Sequence, residues 1–257
     1  MSSSPGLPPA LAIEGRLATI TLRRPELANR LDDQDLATLM AHLNAVDAAH
    51  DVLVLRLCAE GRHFCSGYNV DGFTANQRDP AVTFASVADR LEGLRPVTLA
   101  AINGGLYGGA TDLALACDFR IGVAQAKGFV PAARLGLHFY RGGMERMVSR
   151  LGLDMAKRIL LLAEPFDAAG MLASGLLTQV VADRQALDEA VESLSQTLAG
   201  MAPLALLGMK KHLNAIGHGG IDAAMFAADE AAAASSDDLR EGARAWREKR
   251  PPVFRGR

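Results

Sequence analysis

Apolar residues in the first two-thirds of the chain follow two alternating patterns. Short apolar runs of the kind found in strands recur along the sequence, at residues 11–13, 17–22, 52–57, 97–102 and 119–123. Between them, apolar residues at helical spacing predict amphipathic helices over residues 33–49 and 82–94. The run at 52–57 is almost continuously apolar, which is typical of a strand buried on both faces. Alternating strands and helices of this kind indicate βαβ-like units in a layered α/β core.

The pattern changes after a last strand candidate at residues 178–181. Helical spacing then dominates, with a predicted helix after Pro203 and an alanine-rich helix former at residues 223–236. We therefore predict an α/β core over residues 1–202 and a helical region over residues 203–257. Residues 1–9 are rich in Ser, Pro and Gly and are expected to form a loose tail of the core.

Composition and charge narrow the class of protein. Of the 257 residues, 49% are apolar and 22% are charged, which is an ordinary balance for a globular protein. The formal charge of −2 argues against a nucleic-acid partner, because such binding draws on clustered basic charge. Three scattered cysteines and the absence of a recognisable export signal predict a cytoplasmic location. The apolar stretch 97–117 is interrupted by Asp112 and two glycine pairs, so no membrane span is expected.

Two glycine-bearing segments each follow a predicted buried strand. They span residues 61–71 and 103–118. Ligands of α/β sheets usually bind beyond the strand ends, and a helix predicted to begin near Ala110 adds unpaired N–H groups there. A plain strand-to-helix turn would also explain the second set of glycines. Neither segment follows a phosphate-loop or dinucleotide pattern, and the six histidines lack metal-ligand spacing, so no nucleotide site and no metal are predicted.

Five ordered segments resemble the crotonase superfamily, that is, the enoyl-CoA hydratases and isomerases. Phe64-Cys-Ser-Gly-Tyr-Asn-Val70 is similar to the first oxyanion loop of that family, commonly F-x-A-G-x-D-[LI]. Residues 101–118 (AINGGLYGGATDLALACD) are similar to its second, commonly A-x-N-G-x-x-x-G-G-G-x-E-L-A-L-x-C-D. Supporting matches lie at residues 24–31, 131–146 and 248–254. The resemblance covers nearly the whole chain in order and spacing.

The resemblance implies a fold, a substrate and a set of site residues. The fold would be a spiral of ββα units whose helical C-terminal region assembles homotrimers or dimers of trimers. The substrate would be an acyl-CoA thioester, with no cofactor beyond the coenzyme A that it carries. The backbone amides of Tyr68 and Gly109 would form an oxyanion hole that stabilises a thioester enolate. The substrate-binding residues would be Ser66, Tyr68, Asn69, Val70, Asp71, Gly108, Gly109, Pro131, Leu135, His138 and Tyr140.

The chain departs from the hydratase pattern at the two catalytic carboxylates. The first falls at Asp112, one methylene shorter than the usual glutamate and our candidate acid or base. An acid in the first turn of a helix is also stabilised without any catalytic duty. The second falls at Ala132, which has no acid. One carboxylate can shuttle a proton between carbons but is poorly equipped to activate water as two do.

Several functions remain open on the sequence. We favour an acyl-CoA enzyme resembling the hydratases and isomerases, with lyase or isomerase chemistry. The alternatives are an isomerase, decarboxylase or hydrolase that uses Asp112, His138 or Tyr140, and a catalytically weak acyl-CoA-binding oligomer. Packing or interface roles would equally account for the last two residues. Cys65 lacks an evident histidine partner and is not expected to be a nucleophile.

Overall fold

The computed structural model describes residues 6–69 and 82–257, and the fold is given for those residues. Val70 and Asp71, two of the predicted binding residues, lie outside the described residues. Strands occupy β1 (Leu7–Glu14), β2 (Leu17–Arg23), β3 (Val54–Ala59), β4 (His63–Cys65), β5 (Val97–Ile102), β6 (Gly105–Tyr107), β7 (Phe119–Val123), β8 (Lys127–Phe129), β9 (Phe166–Asp167) and β10 (Gln179–Val181).

The larger sheet has six strands in the order β1-β2-β3-β5-β7-β10. β1 and β2 are antiparallel, and the strands from β2 onward run parallel. β5 is buried at every position, as expected of a central strand covered on both faces. The strand pair and the three buried runs that the apolar pattern predicts are therefore confirmed.

β1 begins earlier in the chain than the sequence predicts. Residues 7–9 already belong to β1 and not to a loose tail. β1 is an edge strand, where a proline without an N–H is tolerated. Its pairing with β2 shifts register between Leu7 and Ala10, and the Pro8 carbonyl accepts two hydrogen bonds from Arg23. The prolines thus lie in an irregular edge strand.

A second sheet of four short strands, in the order β4-β6-β8-β9, has no counterpart in the sequence analysis. β4, β6 and β8 are parallel, and β9 pairs antiparallel with β8. Two glycines permit the close packing here: a Cβ on Gly104 would lie 2.0 Å from the Arg62 carbonyl oxygen, and one on Gly128 would lie 2.1 Å from that of Leu106. Strands of two or three residues are too short to show a hydrophobic period.

The helices flank the sheets and continue into the C-terminal region. They are α1 (Asp33–Ala48), α2 (Phe84–Glu92), α3 (Gly109–Leu115), α4 (Arg141–Leu151), α5 (Leu153–Leu161), α6 (Ala168–Ala173), α7 (Arg184–Ala199), α8 (Pro203–Gly217), α9 (Ala223–Ser235) and α10 (Asp237–Glu248). Capping boxes start α1 at Asp32 and α2 at Thr83. Within the described residues, no helix is long and apolar enough to cross a membrane.

Candidate active site

A cavity of about 390 Å³ brings together eight of the predicted binding residues. These eight are Ser66, Tyr68, Gly108, Gly109, Pro131, Leu135, His138 and Tyr140. The other described residues of the lining are Asp33, Leu36, Val82, Thr83, Phe84, Ala85, Ala132, Leu137 and Phe139. The cavity therefore lies between the starts of α1, α2 and α3 and the segment that precedes α4. Asn69, although predicted, is not part of this lining.

The two glycine segments touch at one side of the cavity. Gly67 has a φ of 86° and Gly108 a φ of 57°, a region of backbone conformation that favours glycine. A Cβ on Gly67 would lie 2.8 Å from the Tyr107 carbonyl oxygen and 3.1 Å from the Gly109 nitrogen. Any side chain at position 67 would therefore force the two segments apart.

The backbone amides of the two segments are arranged by local pairing. The Leu31 N–H donates to the Gly67 carbonyl, and the Asn69 N–H donates to the Leu31 carbonyl. In such a parallel bridge the N–H of the middle residue, Tyr68, is directed away from Leu31. Gly109 is the first residue of α3, so its N–H has no acceptor within that helix.

Asp112 does not line the cavity, and its side chain is 0% exposed. Arg146 donates from Nε to Oδ1 at 2.9 Å and from Nη2 to Oδ2 at 2.7 Å, a two-pronged charged pair. The Tyr140 hydroxyl donates to the same Oδ2 at 2.6 Å. Both carboxylate oxygens are thus engaged, and Tyr140 is the group through which Asp112 meets the cavity.

Arg146 is itself 1% exposed and connects Asp112 to α2. Its Nη1 donates to Asp89 at 2.8 Å and to Glu92 at 3.0 Å. Glu92 also accepts from Arg150 at 3.0 Å. Burial by itself raises the pKa of Glu92, but the hydrogen bonds and charges of Arg146 and Arg150 outweigh it and hold that pKa below its ordinary value. The network fixes α2, α3 and α4 relative to one another.

Tyr140 is held in place by rings as well as by its hydrogen bond. Its ring stacks on Phe139 with centroids 4.7 Å apart. A Cβ on Gly143 would lie 2.4 Å from the Phe139 ring and 2.9 Å from the Tyr140 ring, so the glycine lets both rings pack on α4. Burial, then the charge and hydrogen bond of Asp112, raise the pKa of Tyr140 above its ordinary value. The phenol therefore keeps its proton at neutral pH.

The other candidates for proton transfer are weaker. His138 is exposed, and its Nδ1 lies 2.7 Å from the Phe139 carbonyl oxygen, a backbone contact. Ala132 reaches the cavity wall but brings no acid there. Among the described lining residues the one carboxylate is Asp33, which the sequence analysis did not single out. Asp33 stands 35 positions before Tyr68, in a helix first turn where an acid is ordinary.

Cys65 is the last residue of β4 and is fully buried. Its Sγ donates to the Asn29 carbonyl at 3.1 Å. Burial raises the pKa of the Cys65 thiol to about 12, so the reactive thiolate is suppressed at neutral pH. The described residues hold no cluster of three or more His, Cys, Asp or Glu side chains able to bind a metal ion.

Residues 12–257 match the family model for enoyl-CoA hydratase/isomerase. The chain belongs to the enoyl-CoA hydratase/isomerase family. It is 28% identical over 244 residues to the short-chain-enoyl-CoA hydratase of Clostridium acetobutylicum, covering 92% of this chain and 93% of that relative. It is 29% identical over 268 residues to the (E)-benzylidenesuccinyl-CoA hydratase of Thauera aromatica, covering 97% of this chain and 100% of the relative.

The fold agrees with solved structures of the same family. The crystal structure of an enoyl-CoA hydratase from Bacillus anthracis superposes with a TM-score of 0.88 at 25% identity, covering 98% of this chain and 100% of that one. The resemblance to the crotonase superfamily, the α/β fold of parallel ββα units and the helical C-terminal region are therefore confirmed. The protein is an enzyme of this family, and an acyl-CoA substrate fits it.

Proposed function

We propose that the enzyme forms a thioester enolate from an acyl-CoA and moves a single proton through Tyr140, as a double-bond isomerase does. The observation that carries this proposal is the position of Tyr140 at the cavity with Asp112 buried behind it. Hydration would need water activated by two carboxylates. Both oxygens of the Asp112 carboxylate already accept hydrogen bonds from Arg146, and one also accepts from Tyr140. Ala132 supplies no second acid.

The proposed first step removes a proton from the carbon next to the thioester. That proton passes to Tyr140 Oη while the phenolic proton passes across the 2.6 Å hydrogen bond to Asp112 Oδ2. The electron pair of the broken C–H bond moves to the thioester oxygen and forms the enolate. Tyr140 is never left as a phenolate, which accords with its raised pKa.

The enolate oxygen would be held by the amides of Tyr68 and Gly109. Backbone donors aimed at a developing oxyanion contribute about 3 kcal/mol each to catalysis. The direction of the Tyr68 amide and the position of Gly109 at the start of α3 support this assignment. The second step reverses the relay: Asp112 returns its proton to Tyr140, which protonates the γ-carbon of an unsaturated acyl chain, or the α-carbon again.

Proton exchange at the α-carbon tests the proposal without knowledge of the natural substrate. Hexanoyl-CoA is incubated with the enzyme in deuterium oxide, and deuterium uptake is followed by mass spectrometry. We expect uptake with the wild type and a loss of about 10²-fold or more in Tyr140→Phe, the usual range for a proton-transfer group. Tyr107→Phe is the matched control, since Tyr107 lies outside the cavity lining and packs on Phe129.

A second assay separates isomerisation from hydration. We expect 3-hexenoyl-CoA to be converted to the 2-enoyl ester, and crotonyl-CoA to be hydrated far more slowly. Full deuterium exchange by Tyr140→Phe would contradict the proposed relay. Hydration of crotonyl-CoA faster than isomerisation would contradict the proposed reaction.

We propose in addition that the helical C-terminal region assembles homotrimers or dimers of trimers, as the family resemblance implies. The support is apolar surface that α8 and α10 expose in the single chain, with Met209, Leu213 and Ile216 on α8 and Trp246, 86% exposed, on α10. Light scattering of the purified protein would test it, and a monomer at micromolar concentration would contradict it.

A further inference from the structure

A second tyrosine–carboxylate pair lines the same cavity as Tyr140. The Tyr68 hydroxyl donates to Asp33 Oδ1 at 2.5 Å. Asp33 is the first residue of α1 and is exposed, whereas Tyr68 is partly buried beside Gly67. The hydrogen bond holds the Asp33 carboxylate at the cavity and orients the Tyr68 ring as part of the cavity wall.

The described part of the cavity lining is unbalanced in charge. Among the described lining residues there is no lysine and no arginine, and His138 is the one side chain able to carry a positive charge. Asp33 is the one carboxylate of that lining, and most of the other lining side chains are apolar. The guanidinium of Arg24 pairs with Asp32 and Asp35, the neighbours of Asp33.

We propose that the Tyr68–Asp33 pair determines acyl specificity by excluding acyl groups that carry a carboxylate. The inference rests on the proposed function, because it assumes that an acyl-CoA occupies this cavity. A second carboxylate placed beside Asp33 would be repelled by its negative charge, most strongly at low ionic strength. It would also lose water without gaining a cationic partner among the described lining residues. The substrates of this enzyme are then acyl-CoA esters with neutral acyl groups.

Two esters of equal chain length test the inference. Hexanoyl-CoA and adipoyl-CoA have six acyl carbons each and differ in the terminal carboxylate. Their dissociation constants are measured by titration calorimetry at one ionic strength. We expect wild-type enzyme to bind adipoyl-CoA at least about tenfold more weakly than hexanoyl-CoA, from like-charge repulsion at the cavity.

Three variants assign the effect to the pair. In Asp33→Asn the dissociation constant of adipoyl-CoA should fall to within about threefold of that of hexanoyl-CoA. The dissociation constant of hexanoyl-CoA itself should change less than about twofold. Tyr68→Phe keeps the ring and releases Asp33, so it should lower the ratio of the two constants partway. Glu14→Gln makes the same change in net charge at an exposed residue of β1 that does not line the cavity, and should leave the ratio unchanged.

The outcomes separate the inference from the proposed function. Equal binding of the two esters by the wild type, or a ratio unchanged by Asp33→Asn, overturns the role of the pair while leaving an acyl-CoA enzyme in place. A ratio lowered equally by Glu14→Gln would assign the effect to net charge and also overturns it. Failure of the wild type to bind either ester overturns the proposed function and, with it, this inference.

Discussion

The buried ion pair between Asp112 and Arg146 lets us predict how much unfolding free energy is lost when Asp112 is replaced. Asp112→Asn keeps the shape of the side chain and removes its charge. Arg146, at 1% exposure, then loses the two hydrogen bonds to a carboxylate at 2.9 and 2.7 Å. The asparagine can accept from Arg146 through one oxygen, and its amide nitrogen faces donors where the second oxygen stood.

The expected loss follows from the burial of both partners. Removing one partner of a buried ion pair costs about 3–5 kcal/mol, because the remaining charge is left uncompensated. Arg146 retains Asp89 and Glu92 on its Nη1, so we expect the lower end, about 3 kcal/mol. The matched control is Asp89→Asn on the same guanidinium. The Asp89 side chain is 55% exposed, and an exposed pair contributes only about 0–1 kcal/mol.

Urea unfolding at fixed protein concentration and neutral pH measures both variants. The prediction is a large fall in midpoint for Asp112→Asn and a small one for Asp89→Asn, with unchanged slopes. Stability of Asp112→Asn within about 1 kcal/mol of the wild type, or equal losses in the two variants, would show that burial does not set the strength of the Asp112–Arg146 pair. We also expect Asp112→Asn to abolish turnover and to bind the CoA ester nearly normally. Tyr140→Phe leaves the pair intact and isolates the proton transfer.

Three further predictions concern the surroundings of Tyr140. Gly143→Ala places a Cβ against the Phe139 and Tyr140 rings. The rate of deuterium exchange should therefore fall at least about tenfold, while the free energy of unfolding changes by about 1 kcal/mol. An unchanged exchange rate would show that the position of the Tyr140 ring does not matter for proton transfer. In the folded protein the pKa of Glu92 lies below its ordinary value of 4.5. The ionised Glu92 therefore stabilises the fold fully above pH 4.5, and this stabilisation is lost as the pH falls below that value. Between about pH 7 and pH 3 the urea midpoint should drop less steeply in Glu92→Gln than in the wild type. Replacing His138 by alanine removes a backbone contact at an exposed position and should lower exchange less than about threefold; a larger loss would make it a proton carrier.

Much of the fold is readable from short-range patterns. β5 coincides with the apolar run at 97–102, since burial on both faces leaves a nearly continuous hydrophobic signal. β7 coincides with the strand candidate at 119–123, although Arg120 interrupts its apolar residues. The second sheet leaves no such signal, because its strands are two or three residues long and two of them carry a glycine. The start of β1 was missed for a related reason, since prolines in an edge strand resemble a coil.

The candidate site also combines features that short sequence motifs indicate with contacts that they do not. The family resemblance implies that the amides of Tyr68 and Gly109 act together, and the structure brings their two segments into contact, with a Cβ on Gly67 only 3.1 Å from the Gly109 nitrogen. The motif cannot show that Arg146, 34 positions after Asp112, occupies both oxygens of that carboxylate. The Tyr68–Asp33 contact spans 35 positions and is equally invisible to local patterns. What the sequence leaves open is which side chains reach one another across helices.

The departures at positions 112 and 132 are linked through Tyr140. An aspartate at 112 ends one methylene earlier than a glutamate, so its carboxylate stays within reach of Arg146 and out of the cavity. The Tyr140 hydroxyl occupies the space at 2.6 Å into which a longer acid would extend. With a phenol at that place, an acid at 132 would not face the Asp112 carboxylate across a shared water. On the proposed relay, replacing Ala132 by glutamate alone would therefore not create a hydratase, since the Tyr140 phenol lies between Asp112 and the cavity.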